Sequence, residues 1–208
     1  MYPSMEVRWF GKGTVPQHVQ EWFRRVWRMG EDPFCSVGSR TDYYFRLGGN
    51  DSLGIKLREG KMEVKQRLHQ QGVVTPHQRG SGLVEEWRKW SYALSEAAID
   101  AMQSSSPDPF WVGVAKVRTL CKYKVTGDRK VLAVSADAFP DEGGQVELTR
   151  LTVQGNEWWT VGFEAWGKET PMQECLNLVV KHVLADSEPP VFDAEDSYSY
   201  PKWLAQVS

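Results

Sequence analysis

The sequence predicts an α+β fold: an eight-stranded antiparallel β tunnel, a closed or nearly closed barrel, with helices packed outside. Three observations predict it. About eight stretches alternate apolar with polar residues, the period of a strand with two unlike faces. Two segments, 16–29 and 170–187, have apolar residues at helical spacing and need an apolar sheet face to cover. Cations gather on some strands and carboxylates on others, whereas a merely wet sheet face would interleave the signs.

The elements follow in order. "MEVRWF" (5–10) alternates and reads as a strand. In "TVPQHVQEWFRRVWRMG", Val19, Phe23, Val26 and Trp27 fall at helical spacing, framed by Pro16 and Gly30. "RTDYYFRL" (40–47), "LGIKLRE" (53–59) and "KMEVKQRL" (61–68) read as successive strands, the last two joined by Glu-Gly. "QQGVVTPHQRGSG" (70–82) reads as a loop. "LVEEWRKW" (83–90) fits strand or helix, "SEAAIDAM" (95–102) is helical, and "QSSSPDP" breaks the helix. Four β-like runs follow at 110–125, 130–139, 145–153 and 157–166, with "GDR", "PDEGG" and "QGN" as turns. "TPMQECLNLVVKHVLADS" (170–187) is an amphipathic helix, and "YPKWLAQV" is a short element that packs back through Trp203 and Leu204.

At 208 residues the chain fits one domain, 1–208, whose stretch 187–208 is an acidic tail with that short C-terminal element. Ten tryptophans argue against disorder. The net charge of −2 conceals a basic segment at 54–68 and an acidic one at 186–196. A generic nucleic-acid binder is more often basic throughout, so nucleic acid is not the expected partner. Cys35, Cys121 and Cys175 are too few and too scattered for a disulfide framework or a zinc site, which favours a reducing cytoplasm. No run approaches the ~18 apolar residues of a membrane span, so a soluble, cytoplasmic protein is expected. His18, His69, His77 and His182 show no ligand spacing, and Trp87 and Trp90 read first as packing residues.

Parity then sorts the charges, because side chains alternate across a strand. One face of 54–59 carries Lys56 and Arg58, and one face of 61–68 carries Lys61, Lys65 and Arg67, with Glu63 as the exception in sign. One face of 110–125 carries Lys116, Arg118, Lys122 and Lys124. The carboxylates lie on other strands: Glu6 beside Arg8, then Glu147 beside Thr149, then Glu164 beside Thr160. Asp42 is read as a hydrogen-bonding residue near its strand's turn. A basic wall facing an acidic wall across an enclosed space is the pattern, and a polyanion is what would offset the repulsion of the cations.

In that order these elements resemble the CYTH superfamily, the triphosphate tunnel metalloenzymes that include class IV adenylate cyclases and thiamine triphosphatases. The resemblance runs from Met5 to about Gly167. "DYYFRL" resembles the family's Asp-x-Tyr-Phe strand, and "IKLR" its Leu-Arg-Ile-Arg strand, with Lys56 and Arg58 in the basic places. "MEVKQR" supplies Lys65, "VAKVRTLCKY" resembles the Lys-x-Arg strand through Lys116 and Arg118, and "VELTRLTVQGNEWWTVGFEAWG" is similar to the late hairpin that bears Glu164. The resemblance implies a tunnel whose basic residues bind a triphosphate and whose acidic residues bind a divalent metal. It implies a phosphorylated small molecule or polyphosphate as ligand. Lys56, Arg58, Lys65, Arg67, Lys116, Arg118, Lys122 and Arg8 would contact phosphate. Glu6, Glu147 and Glu164 would form a weak site for Mg²⁺ or Mn²⁺, and Glu6 and Glu164 would be the catalytic pair.

Two departures bear on chemistry. The family's first strand carries Glu-x-Glu-x-Lys, whereas "EVRWF" has Glu6 and then Arg8 and Phe10. A second acid often found on the late strand is replaced by Trp166 or Gly162. Arginine where a metal-binding carboxylate belongs reverses the charge. Binding of a phosphorylated anion is therefore expected ahead of hydrolysis, with a catalytically inactive binding or scaffold protein as the alternative.

Overall fold

A computed structural model of the chain describes residues 2–29, 35–77, 80–98, 110–168, 170–185 and 188–207. Nine strands form one antiparallel sheet: β1 (Tyr2–Lys12), β2 (Cys35–Phe45), β3 (Leu53–Arg58), β4 (Lys61–His77), β5 (Gly80–Ala93), β6 (Trp111–Val125), β7 (Val131–Val134), β8 (Gly143–Val153) and β9 (Asn156–Trp166). Their order is β2-β3-β4-β5-β1-β9-β8-β6-β7, and β2 also pairs with β6 over Cys35–Cys121 to Phe45–Trp111. That second pairing closes an eight-stranded barrel and leaves β7 as an extra strand on the far end of β6. The predicted α+β barrel is the observed one.

Local chemistry accounts for the hairpins. Arg58 pairs with Lys61 across Glu59-Gly60, and Val153 pairs with Asn156 across Gln154-Gly155. All four turn residues have positive φ, which is the two-residue turn whose twist suits an antiparallel pair. The loop expected at 70–82 is instead mostly strand. β4 and β5 run on as a paired ribbon, with register shifts between Arg67 and His69, Gln70 and Val73, and Val74 and His77. Bulges let glycine and proline sit in a strand without ending it. The segment "LVEEWRKW", which fitted strand or helix, is strand β5. The run at 130–139 is strand only over Val131–Val134. Of the helix expected at 95–102, residues 96–98 are helical, Ser95 precedes the helix, and 99–102 lie outside the described residues, as does "QSSSPDP".

Two hydrophobic clusters flank the barrel wall. Outside, α1 (Gln17–Met29) and α2 (Met172–Ala185) cover β1, β9, β8 and β6. Val19, Trp22, Phe23 and Val26 of α1, and Cys175, Leu176, Val179 and Val183 of α2, pack on Val7, Val161, Phe163 and Val146. This is the apolar sheet face the amphipathic helices required. Inside, a second cluster fills one end of the barrel. Phe10, Tyr44, Val112, Val114, Leu151 and Val153 line it, and Trp203 and Leu204 of α3 (Tyr200–Gln206) enter from below. Phe10 stacks on Tyr198 and Trp203, with ring centroids 5.0 and 5.4 Å apart. The short C-terminal element thus packs back as expected, and it stoppers the barrel. No helix among the described residues is long and apolar enough to cross a membrane.

One expectation from cysteine spacing fails. Cys35 and Cys121 face each other in the β2–β6 register, with Cα atoms 4.3 Å apart, and are joined by a disulfide. Cysteines far apart in sequence carry no spacing signal, and barrel closure brings them together. Cys175, on the buried face of α2, forms no disulfide.

Candidate functional site: a charged lumen

Above the apolar stopper the barrel interior is charged. Cross-strand register puts partners on one side of the sheet, so the ladders define the interior face. Glu6 stands opposite Glu164 and Glu85, Arg8 opposite Gly162, Glu147 opposite Gly162, and Arg118 opposite Thr149. Lys56 stands opposite Tyr44 and Glu63, and Arg40 opposite Lys116. Lys56, Arg58, Lys65, Arg67, Lys116, Arg118 and Arg8 therefore share one interior with Glu6, Glu147 and Glu164. The two walls read from parity are present in outline: β5, β1, β9 and β8 carry Glu85, Glu6, Glu164 and Glu147, and β6, β2, β3 and β4 carry most of the cations. Side chains near the stopper are sealed, with Lys116 4% and Arg8 7% exposed, whereas Lys65 and Arg118 higher up are 28% and 27% exposed. The lumen is a cup that opens at one end.

Lys122 stands apart from the other expected phosphate contacts. Its Nζ donates to the Ala138 carbonyl at 3.0 Å and lies 3.9 Å from the centre of the exposed Phe139 ring. Lys124 is exposed. The same face of β6 carries the apolar Val112, Val114 and Leu120, so the ion-paired cations of that strand are Lys116 and Arg118.

The interior contains carboxylates whose importance sequence reading missed. Asp42 is fully buried and gathers four cations: Arg40 and Arg58 at 3.0 Å, Lys116 at 3.2 Å and Lys56 at 3.5 Å. Burial opposes its negative charge, yet Lys56, Lys116 and Arg58 hold its pKa well below the usual carboxylate range. Glu63 pairs with Lys56 and Lys89 at 3.0 Å each and with Arg58 at 3.7 Å, which brings its pKa down to about 2 against the effect of burial. Glu85 accepts from Arg67 at 2.7 Å and from the Trp87 indole at 3.2 Å. Burial, with Glu6 nearby, pushes its pKa up nonetheless. Trp87 is accordingly a buried packing residue with a satisfied N–H.

The residues expected to bind metal are engaged by the chain's own cations. Lys65 donates to Glu6 at 2.6 Å and stands 3.7 Å from Glu164, which also accepts from Gln145 at 2.8 Å. Glu147 pairs with Arg8 at 2.6 Å and Arg118 at 3.6 Å, and its pKa falls to about 2 despite burial. Among the described residues no group of three His, Cys, Asp or Glu is arranged to hold a metal ion. A donor set made of ion-paired carboxylates does not fit a hard divalent cation, which needs free oxygen ligands.

The cations are also perturbed. Burial, and then Arg58, lowers Lys56 to about 8 although Asp42 and Glu63 favour its charge. Burial lowers Lys116 well below the ordinary lysine range. Its Nζ donates to the Tyr44 hydroxyl and lies 4.0 Å from the Tyr200 ring centre, so the stopper helix touches the charged layer directly. Among the described residues, two buried polar atoms in this layer have no hydrogen-bond partner: Arg8 Nε and Thr149 Oγ1. Such groups are costly unless something accepts from them.

The fold and site define a class in physical terms: a closed antiparallel barrel with an ion-paired, one-ended lumen. No family model and no curated protein matches this chain.

Proposed function

We propose that this chain is a divergent CYTH-like barrel whose lumen binds a phosphorylated polyanion: a triphosphate, a polyphosphate or the phosphate chain of a nucleotide. The observation that carries this reading is the convergence of Lys56, Arg58, Lys65, Lys116 and Arg118, from separate stretches of chain, on one interior. With Arg8, Arg40 and Arg67 they outnumber the carboxylates Glu6, Asp42, Glu63, Glu85, Glu147 and Glu164. That excess favours an anion, and arginine forks with lysine point charges suit phosphate oxygens.

Binding without turnover is the version the departures favour. Hydrolysis of a triphosphate calls for a placed nucleophile and usually a bridging metal, and the carboxylates that would serve either are held in ion pairs. The test is thermal shift with tripolyphosphate alongside phosphate release in Mg²⁺ or Mn²⁺. Stabilisation without release is expected. Release that Glu164→Ala abolishes would make the protein a hydrolase instead, and no response to tripolyphosphate in either assay would remove the polyanion reading.

A further inference from the structure

We propose that the lumen takes its polyanion free of metal, with the Lys65 ammonium and the Arg8 guanidinium occupying the carboxylates that a divalent cation would need. This rests on the polyanion reading above and adds the chemical form of the ligand.

Three observations lead there. Glu6 and Glu164 are direct cross-strand partners, so their like charges require a cation between them. Lys65 supplies it, at 2.6 Å from one and 3.7 Å from the other. An ammonium tethered to the barrel wall is present at high effective concentration, whereas a free ion must shed water to compete.

Second, Arg8 does the same for Glu147. The two are buried together at 2.6 Å. The Arg8 guanidinium also lies close against the β9 backbone, since a Cβ at Gly162 would lie 2.6 Å from its guanidinium carbon. Third, of the two unsatisfied polar atoms in this layer, the one that belongs to this pair can only donate: the buried Nε–H of Arg8 lacks an acceptor. A phosphate oxygen answers that need and a metal ion does not. A polyphosphate carrying Mg²⁺ brings two fewer negative charges and a water shell. It should therefore bind this cup more weakly than the bare anion.

Calorimetry of the full chain with tripolyphosphate decides it, first in EDTA and then with Mg²⁺ saturating the ligand, at matched ionic strength. The expected result is binding in EDTA and at least a tenfold loss in Mg²⁺. Equal or tighter binding in Mg²⁺ overturns this inference while leaving the polyanion reading intact. Absence of binding in both buffers overturns both. A second arm needs no anion: Mn²⁺ titration followed by electron paramagnetic resonance, on the wild type and on Lys65→Met with its fold checked by circular dichroism. Lys65→Met should bind Mn²⁺ at least tenfold more tightly than the wild type. A wild type that binds Mn²⁺ as tightly as Lys65→Met overturns the claim that Lys65 holds the site.

Discussion

Asp42→Asn removes one charge from the most crowded point of the lumen and keeps the side chain's shape. In the native barrel the Asp42 carboxylate is fully buried and lies within 3.5 Å of cationic groups on Arg40, Lys56, Arg58 and Lys116. The amide that replaces it accepts with one oxygen, offers an N–H₂ to donors, and cancels no charge. Taking one partner from a buried ion pair typically costs about 3 to 5 kcal/mol. For a chain of this size each kcal/mol moves Tm by about 2 to 4 °C, so a fall of about 6 to 20 °C is expected. Urea unfolding at neutral pH gives the free energy directly. The acid limb supplies a second readout. Asp42 has a depressed folded-state pKa, so its contribution is present above the unfolded value and is lost as pH falls below it. Asp42→Asn should flatten that limb. A loss under about 1 kcal/mol with an unchanged acid limb would refute the reasoning. It would mean that solvent screens these charges as it does on a surface.

Three further outcomes are expected. Gly162→Ala places a methyl group 2.6 to 2.8 Å from the Arg8 guanidinium, which must shift on its Glu147 partner; the cost should be about 1 to 3 kcal/mol, and an NMR titration should show the Glu147 pKa rising from about 2. Lys56, at about 8, lies below its ordinary value. The unfolded chain therefore binds the extra proton above pH 8, and stability measured in urea should rise from about pH 8 to 10.5 while tripolyphosphate affinity falls, with Lys56→Arg holding affinity level. Replacing both Cys35 and Cys121 by serine opens a loop of 86 residues, which should cost about 4 to 5 kcal/mol by chain entropy. Melting with and without reductant checks it, and an unchanged Tm would refute it.

Much of the lumen was legible because alternation is a local property. Lys56, Arg58, Lys65, Lys116 and Arg118 each announce their face through their neighbours, and the Glu59-Gly60 and Gln154-Gly155 turns announce their hairpins. Asp42 was not legible. One acid in "RTDYYF" looks like any strand-end aspartate until β3 and β6 bring Lys56, Arg58 and Lys116 to it. Glu63 showed as an exception in sign, and its partners Lys56 and Lys89 on the adjacent strands β3 and β5 explain why it is there. The stretch 70–82 misled because glycine, proline and polar residues signal a loop, whereas its pairing to β5 is sustained by bulges that composition does not reveal. Trp203 signalled packing, but that it packs inside the barrel follows only from closure.

The position of β1 has a consequence for how the chain is made. It hydrogen-bonds to β5 on one side and to β9 on the other. A growing chain can therefore satisfy one flank of β1 long before the other, and during synthesis that second flank is an open edge able to recruit a stranger's strand. Charged side chains that point inward are a known deterrent to such pairing, and β1 carries Glu6 and Arg8. Glu6 and Arg8, which face the lumen once the barrel closes, put charge of that kind on the open flank while the barrel is still incomplete.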